Sequence, residues 1–174
     1  MKVLIISDSH GETEVLEAIA KRHAHEVNAM IHCGDSELSV DHAALRNMVV
    51  VRGNCDWKAD FPNERLEKIG NWSFFITHGH LYSVKTTLMN LKYKAEETNA
   101  NIVCFGHSHI AGAEMVDNVL FINPGSISLP RMRKEKTYVI LNLANGQANV
   151  DYFDENGEFI QQLSTSFQFA DNNR

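Results

Sequence analysis

Cysteine is scarce in this chain: three residues in 174, Cys33, Cys55 and Cys104. An odd count with no CxxC pair fits no disulfide framework, and a reducing cytoplasm is the expected location. Long hydrophobic runs are missing as well. No stretch approaches the roughly 18 apolar residues needed to cross a bilayer, so no membrane partner is expected. The opening MKVLIISDSHG has one lysine and too short an apolar core for a secretory signal. Positive charge is in short supply: 16 Lys and Arg stand against 22 Asp and Glu, a formal net charge of −6. That balance argues against a protein that coats nucleic acid or anionic lipid. With no basic, aromatic-studded stretch, a long nucleic-acid footprint is not expected either. Repeats, low-complexity tracts and linkers are also lacking. One domain over residues 1–165 with a polar, loosely held tail at 166–174 is the simplest organisation.

What the chain does have is short apolar runs: KVLIIS (2–7), AMIHC (29–33), MVVV (48–51), WSFFIT (72–77), NIVCF (101–105), VLFIN (119–123) and TYVILNL (137–143). They are too short for helices and rich in β-branched and aromatic residues, which predicts strands. The first five are continuously apolar rather than alternating, as in strands covered on both faces of a layered α/β fold. Val15, Leu16, Ile19 and Ala20 give 12–24 a helical apolar face. Val84, Leu88, Leu91 and Ala95 do the same for 84–98, with Ser83 placed to cap it. A shorter helix is expected near 40–46. Beyond residue 110 only strands and turns are expected, with a hairpin about Asn145-Gly146.

Nine histidines is a high number, and several lie where the runs end. Asp8, Ser9 and His10 follow the first; Gly34 and Asp35 the second; Gly53, Asn54, Cys55 and Asp56 the third. His78, Gly79 and His80 follow the fourth, Gly106, His107, Ser108 and His109 the fifth, and Pro124, Gly125 and Ser126 the sixth. Open α/β sheets bind ligands beyond the carboxyl ends of their strands. Carboxylate, imidazole and amide donors suit Mn, Fe, Co, Ni or Zn. Two Asp, one Asn and several His are too many for one tetrahedral ion and about right for two. A carboxylate can bridge a pair of ions about 3.5–4 Å apart, and the glycines let ions and a phosphate come close to the backbone.

The order Asp8-x-His10, Gly34-Asp35, Gly53-Asn54-x-Asp56, His78-Gly79-His80, Gly106-His107-x-His109 resembles the calcineurin-like metallophosphoesterases. More narrowly it is similar to their small bacterial and archaeal phosphodiesterase branch. The resemblance runs from residue 7 to about 126 and implies a four-layer α/β/β/α sandwich with a dinuclear centre at one end. It implies Asp8, His10 and His109 on one ion, Asn54, His78 and His107 on the other, and Asp35 between them. Mn is the first expectation. A water acidified by the ions would attack phosphorus in line.

Larger phosphatases of that superfamily carry His where this chain has Cys55. A neutral thiol of pKa about 8.5 is a poor stand-in for imidazolium, and general acid assistance is worth typically 10²–10⁴-fold. Small-molecule phosphodiesters are therefore the expected substrates, with phosphomonoesters turned over weakly; Cys55 as a mere loop filler is the competing reading. Asp56 is expected to orient the loop near the chemistry, and His80 to lie beside the ions or touch substrate. His32, Cys33 and Cys104 are expected in the core, and His23, His25 and His42 in solvent. The NPGS turn (123–126) could offer N–H groups to a phosphate. Arg131 and Arg133 could meet one too, or form a solvated basic stretch, and Trp57 could wall the site or pack beneath it. The superfamily also includes a retromer subunit of similar fold that acts as a protein–protein scaffold, which is the alternative function. Relatives often self-associate, so a homo-oligomer is a further expectation.

Overall fold

The computed structural model describes residues 1–170. Two mixed sheets stack face to face. The first has the order β11 (Thr165–Gln168), β10 (Gln147–Asp154), β9 (Thr137–Ala144), β1 (Lys2–Ile6), β2 (Ala29–His32), β3 (Met48–Val50). The second runs β4 (Glu64–Ile69), β5 (Trp72–Thr77), β6 (Ile102–Cys104), β8 (Val119–Asn123), β7 (Gly112–Val116). In each, three adjacent strands are parallel: β1, β2 and β3 in one, β5, β6 and β8 in the other.

Strand side chains alternate between faces, and here both faces are covered. Val3 and Ile5 of β1 join Phe74, Ile76, Ile102, Cys104, Leu120 and Ile122 in the core between the sheets. Leu4 and Ile6 point the other way, onto Leu16 and Ile19 of α1 (Thr13–His23). Phe75, Val103 and Phe121 likewise leave the second sheet to meet Leu91 and Ala95 of α2 (Met89–Thr98). The result is a four-layer α/β/β/α sandwich, and the double coverage explains why the central strands read as unbroken apolar runs. Among the described residues no helix is long and apolar enough to cross a membrane.

Several expectations need correction. The second helix starts at Met89, not near 84, because Ser83 adopts a left-handed φ of 56° and ends a 3-10 turn instead of capping a helix. The segment near 40–46 is a 3-10 turn at 43–45, with His42 accepting the Ala44 N–H. His23 is buried rather than solvated, its ring bonded to Tyr138 and Glu26. His32, Cys33 and Cys104 are core residues as expected. The Asn145-Gly146 hairpin forms with positive φ at both residues, 52° and 74°.

The chain is also held beyond the expected boundary at 165. Thr165–Gln168 pair with β10, and Phe169 is buried against Trp72 with ring centroids 4.4 Å apart. Residues 171–174 of the expected tail lie outside the described residues. Phe169 thus ties the edge of the first sheet to β5 of the second. Core Phe→Ala changes cost about 3–5 kcal/mol; so near a chain end, Phe169→Ala is expected to cost about 2–3 kcal/mol, read as a lower urea midpoint with an unchanged slope.

Candidate metal centre

The parallel strands of both sheets end at the same edge of the sandwich, and the polar clusters sit there. The first sheet delivers Asp8 and His10 after β1, Asp35 after β2, and the 53–56 loop after β3. The second delivers His78 and His80 after β5 and His107 and His109 after β6. Donor atoms of Asp8, His10 and His109 lie within 4.8 Å of one another, as do those of Asp8, Asp35 and His78, and of His10, Asp35 and Cys55.

The histidine rings are held so that one nitrogen faces the cluster. His78 Nδ1 donates to the Cys33 carbonyl at 2.8 Å and His109 Nδ1 to the Leu129 carbonyl at 2.7 Å. A carbonyl only accepts, so each Nδ1 carries the proton and each Nε2 presents its lone pair inward. His10 Nδ1 is held by Glu37 Oε1 at 2.6 Å, again leaving Nε2 for the centre. Hydrogen bonding from the remote nitrogen in this way fixes the ring and raises its basicity as a ligand.

Asp8 is fully buried. Its Oδ2 accepts from Ser7 Oγ at 2.6 Å and from the His107 N–H at 3.2 Å. Its Oδ1 has no hydrogen-bond partner, although Nε2 atoms of His109, His78 and His10 stand 3.0, 3.8 and 3.9 Å away. His78 Nε2 is likewise buried and unpartnered. Buried polar atoms left unpaired are costly. An acceptor oxygen and an imidazole lone pair aimed at one space are what a divalent cation would satisfy, so these residues fit a metal. Burial works against ionisation of Asp8, yet His109, His78 and Ser7 outweigh it and hold the carboxyl below its usual range. Asp35 behaves alike, with His78 and the Cys55 N–H prevailing over burial. The carboxylates are thus anionic at neutral pH.

Asp35 Oδ1 accepts the Cys55 N–H at 2.7 Å while Oδ2 lies 3.3 Å from His78 Nε2. Gly53 makes that approach feasible: a Cβ there would lie 2.0 Å from Asp35 Oδ1. Gly106 gives the same clearance to Ser7 and Asp8. Asp8, His10, Asp35, His107 and His109 all have positive φ, between 42° and 66°. Such a concentration of strained backbone is characteristic of functional sites.

The remaining candidates sort by position. The His107 ring is 5.2 Å from that of His78, and burial followed by His78 and Lys85 pushes it down to about 4. His80 packs at 5.4 Å from His78 and 6.1 Å from His107, with Nδ1 buried and unpartnered. Asn54 is exposed, its amide directed at Cys55 Sγ 3.3 Å away. Cys55 is half-buried with its sulfur toward His10 and Asp35, which favours a role at the site over loop filling.

Asp56 orients the loop, as expected. Its two oxygens accept the N–H groups of Asp35, Gly53 and Glu37 at 2.7–2.8 Å and Ser36 Oγ at 3.2 Å, so it ties the metal-site loops to one another. The NPGS turn also buttresses. Asn123 donates to Gly106 O and Ser108 Oγ, and Ser126 Oγ donates to the Asp8 carbonyl. Arg133 pairs with Glu135, while Arg131 is exposed. Trp57 is 70% exposed and lines a cavity with Cys55, beside the site and not beneath it. Ser7 and Glu37 were not anticipated as site residues; nothing but their nearness to the candidate donors in sequence could have marked them.

A sequence profile of the calcineurin-like phosphoesterase superfamily domain matches residues 1–146. The chain belongs to that superfamily. Among its calcineurin-like relatives, the probable metallophosphoesterase YsnB of Bacillus subtilis (strain 168) is 54% identical over 163 residues, 94% of this chain and 96% of that protein. Phosphodiesterase MJ0936 of Methanocaldococcus jannaschii is 32% identical over 144 residues, 72% of this chain and 83% of that one. The crystal structure of a conserved protein from Streptococcus pneumoniae TIGR4, a predicted phosphoesterase, superposes with a TM-score of 0.93 at 34% identity, covering 96% of this chain and 97% of its own. Membership implies divalent metal ions, and this chain has candidate donor groups for them.

Proposed function

We propose that the chain is a dinuclear phosphodiesterase that adds water across a P–O bond of a small diester, releasing a monoester and an alcohol, and that is weak on phosphomonoesters. The observation that carries this is the convergence of unpartnered Asp8 Oδ1 and His78 Nε2 with the inward Nε2 atoms of His10 and His109. Asp8, His10 and His109 would hold one divalent ion, His78, His107 and Asn54 a second, with Asp35 shared; Mn is proposed first and Fe, Co, Ni or Zn suit the same donors. When bound, such ions supply acidity to a water and neutralise charge on the phosphoryl oxygens.

The protein's own groups set the rest. Glu37, Cys33 and Leu129 fix the imidazoles, and Asp56 and Ser126 fix the loops carrying the carboxylates. Burial, followed by Asp35, pushes the Cys55 thiol up to about 11, so it is neutral at physiological pH and no nucleophile is assigned to it. A neutral thiol donates weakly to a departing oxygen, which leaves poor leaving groups unassisted. Cys55→His is therefore expected to raise kcat/KM for an alkyl phosphomonoester about tenfold relative to an aryl diester, measured with Mn-loaded protein. An unchanged ratio would remove Cys55 from substrate selection.

A second reading rests on exposed apolar side chains in the loops at this edge: Trp57, Leu81, Ile110, Leu129 and Met132. They suit a scaffold whose ions only stabilise it. Two tightly held ions without turnover of any diester would favour that reading.

A further inference from the structure

A cavity of about 450 Å³ lies against the outer face of the second sheet, next to the metal-binding loops. Val84, Leu88, Phe105 and Phe121 make its walls, so it is largely apolar. Ser108, which stands between His107 and His109, is at its edge, and Arg131, whose N–H donates to the His109 carbonyl, is another lining residue. The cavity and the centre thus share a loop.

Gly112 is the reason there is space. On β7, Ala113 and Met115 face the core between the sheets and Val116 the outer cluster, so position 112 falls on the outer face with Glu114. A Cβ on Gly112 would meet nothing within 4 Å, and its φ is not in the left-handed region. Neither backbone conformation nor close packing requires glycine there. A larger side chain would enter the cavity.

A second cavity of about 290 Å³, bounded by Glu37, Cys55 and Trp57, belongs to the loops of the first sheet. The centre is therefore flanked by one cavity per sheet, and a phosphodiester has two ester groups. The resemblance to the larger phosphatases puts Cys55 where their acid stands, and Cys55 lines the second cavity, so that side goes to the leaving group. Resting on the phosphodiesterase reading above, we infer that the Gly112 cavity receives the ester group retained in the product, and that this group is largely apolar and about the size of an aromatic ring. Apolar walls with a few polar groups at the edge, in a volume of 300–1,000 Å³, are the usual form of such subsites. Gly112 is then a specificity-determining position.

The test compares bis(4-nitrophenyl) phosphate with methyl 4-nitrophenyl phosphate in Mn-loaded protein. Both release 4-nitrophenolate and they differ only in the retained group. Wild type should favour the bis-aryl ester about tenfold or more beyond the ratio of the uncatalysed rates. Gly112→Leu should reduce that preference at least several-fold, with Gly112→Ala, which adds one methyl group to open space, between them. A preference that survives Gly112→Leu at normal metal content overturns the assignment, as does an equal fall on both esters. Binding supplies a readout without turnover: calorimetry of phenylphosphonate against methylphosphonate on metal-loaded protein. Tighter phenyl binding that Gly112→Leu or Gly112→Ala weakens supports the subsite; equal binding of the two by wild type overturns it. If neither diester is cleaved, the phosphodiesterase reading fails, and the phosphonates still decide the cavity.

Discussion

Asp35→Asn is expected to bring diesterase activity down by about a thousandfold and to leave at most one tightly held ion per chain. The substitution keeps almost everything but charge. Asparagine tolerates the left-handed φ of 54° at this position, and its carbonyl can still accept the Cys55 N–H. What goes is one anionic oxygen beside His78 and the capacity to serve two cations at once. Loss of a mere outer hydrogen-bond partner of a metal ligand typically costs 10–100-fold, so loss of a shared carboxylate should cost about a thousandfold or more. Metal content by plasma spectrometry and kcat/KM on an aryl diester, measured on the same preparation, check it. Two ions retained with near-normal turnover would deny Asp35 its bridging role.

The largest effect on stability is expected at Asp56, where Asp56→Ala should cost about 4 kcal/mol or more. Three backbone N–H groups and one hydroxyl converge on its carboxylate, and hydrogen bonds to a charged group are worth about 1.5–3 kcal/mol each, while orphaned buried donors add their own penalty. Asp56→Asn should do almost as much harm. Each oxygen accepts two donors, so whichever way the amide turns, its NH2 faces two of them. Urea unfolding gives the measure. An Asp56→Asn protein of normal stability but no turnover would return Asp56 to the chemistry.

Most of the centre was legible because its residues follow buried strands. In β1, β2, β5 and β6 the apolar run stops where polar donors begin, and the sheets bring those ends together. The strands that escaped notice are β4, β7 and β11, and all three are edge strands. An edge strand has one neighbour and often an uncovered face, so ERLEKI in β4 and TSFQ in β11 need no apolar run. Ser83 misled for a different reason: a hydroxyl before an apolar stretch suggests a cap, yet Val84 is buried against Gly79 and the chain turns there before the helix begins. The loop-orienting part of Asp56 was legible, but its partners, the N–H groups of Asp35, Gly53 and Glu37, come from loops that only the folded sheet brings together. Gly112 gave no sign at all. The importance proposed for it comes from the space left open on its own, outer face of the sheet.

The division of the centre between two sheets also has a consequence for the order of events during synthesis. Asp8, His10 and Asp35 emerge first, on strands that lie side by side in one sheet, while His78, His107 and His109 come later on the other. Strand β1 then waits for β9, made last of its neighbours, because β9 pairs along its free edge from Lys2 to Ile5. A nascent chain released before about residue 144 would contain every candidate donor and still lack the strand that seats the first two. Catalytic competence is therefore a late event in the life of each molecule, withheld until the C-terminal hairpin has closed the sheet that was begun at the N-terminus.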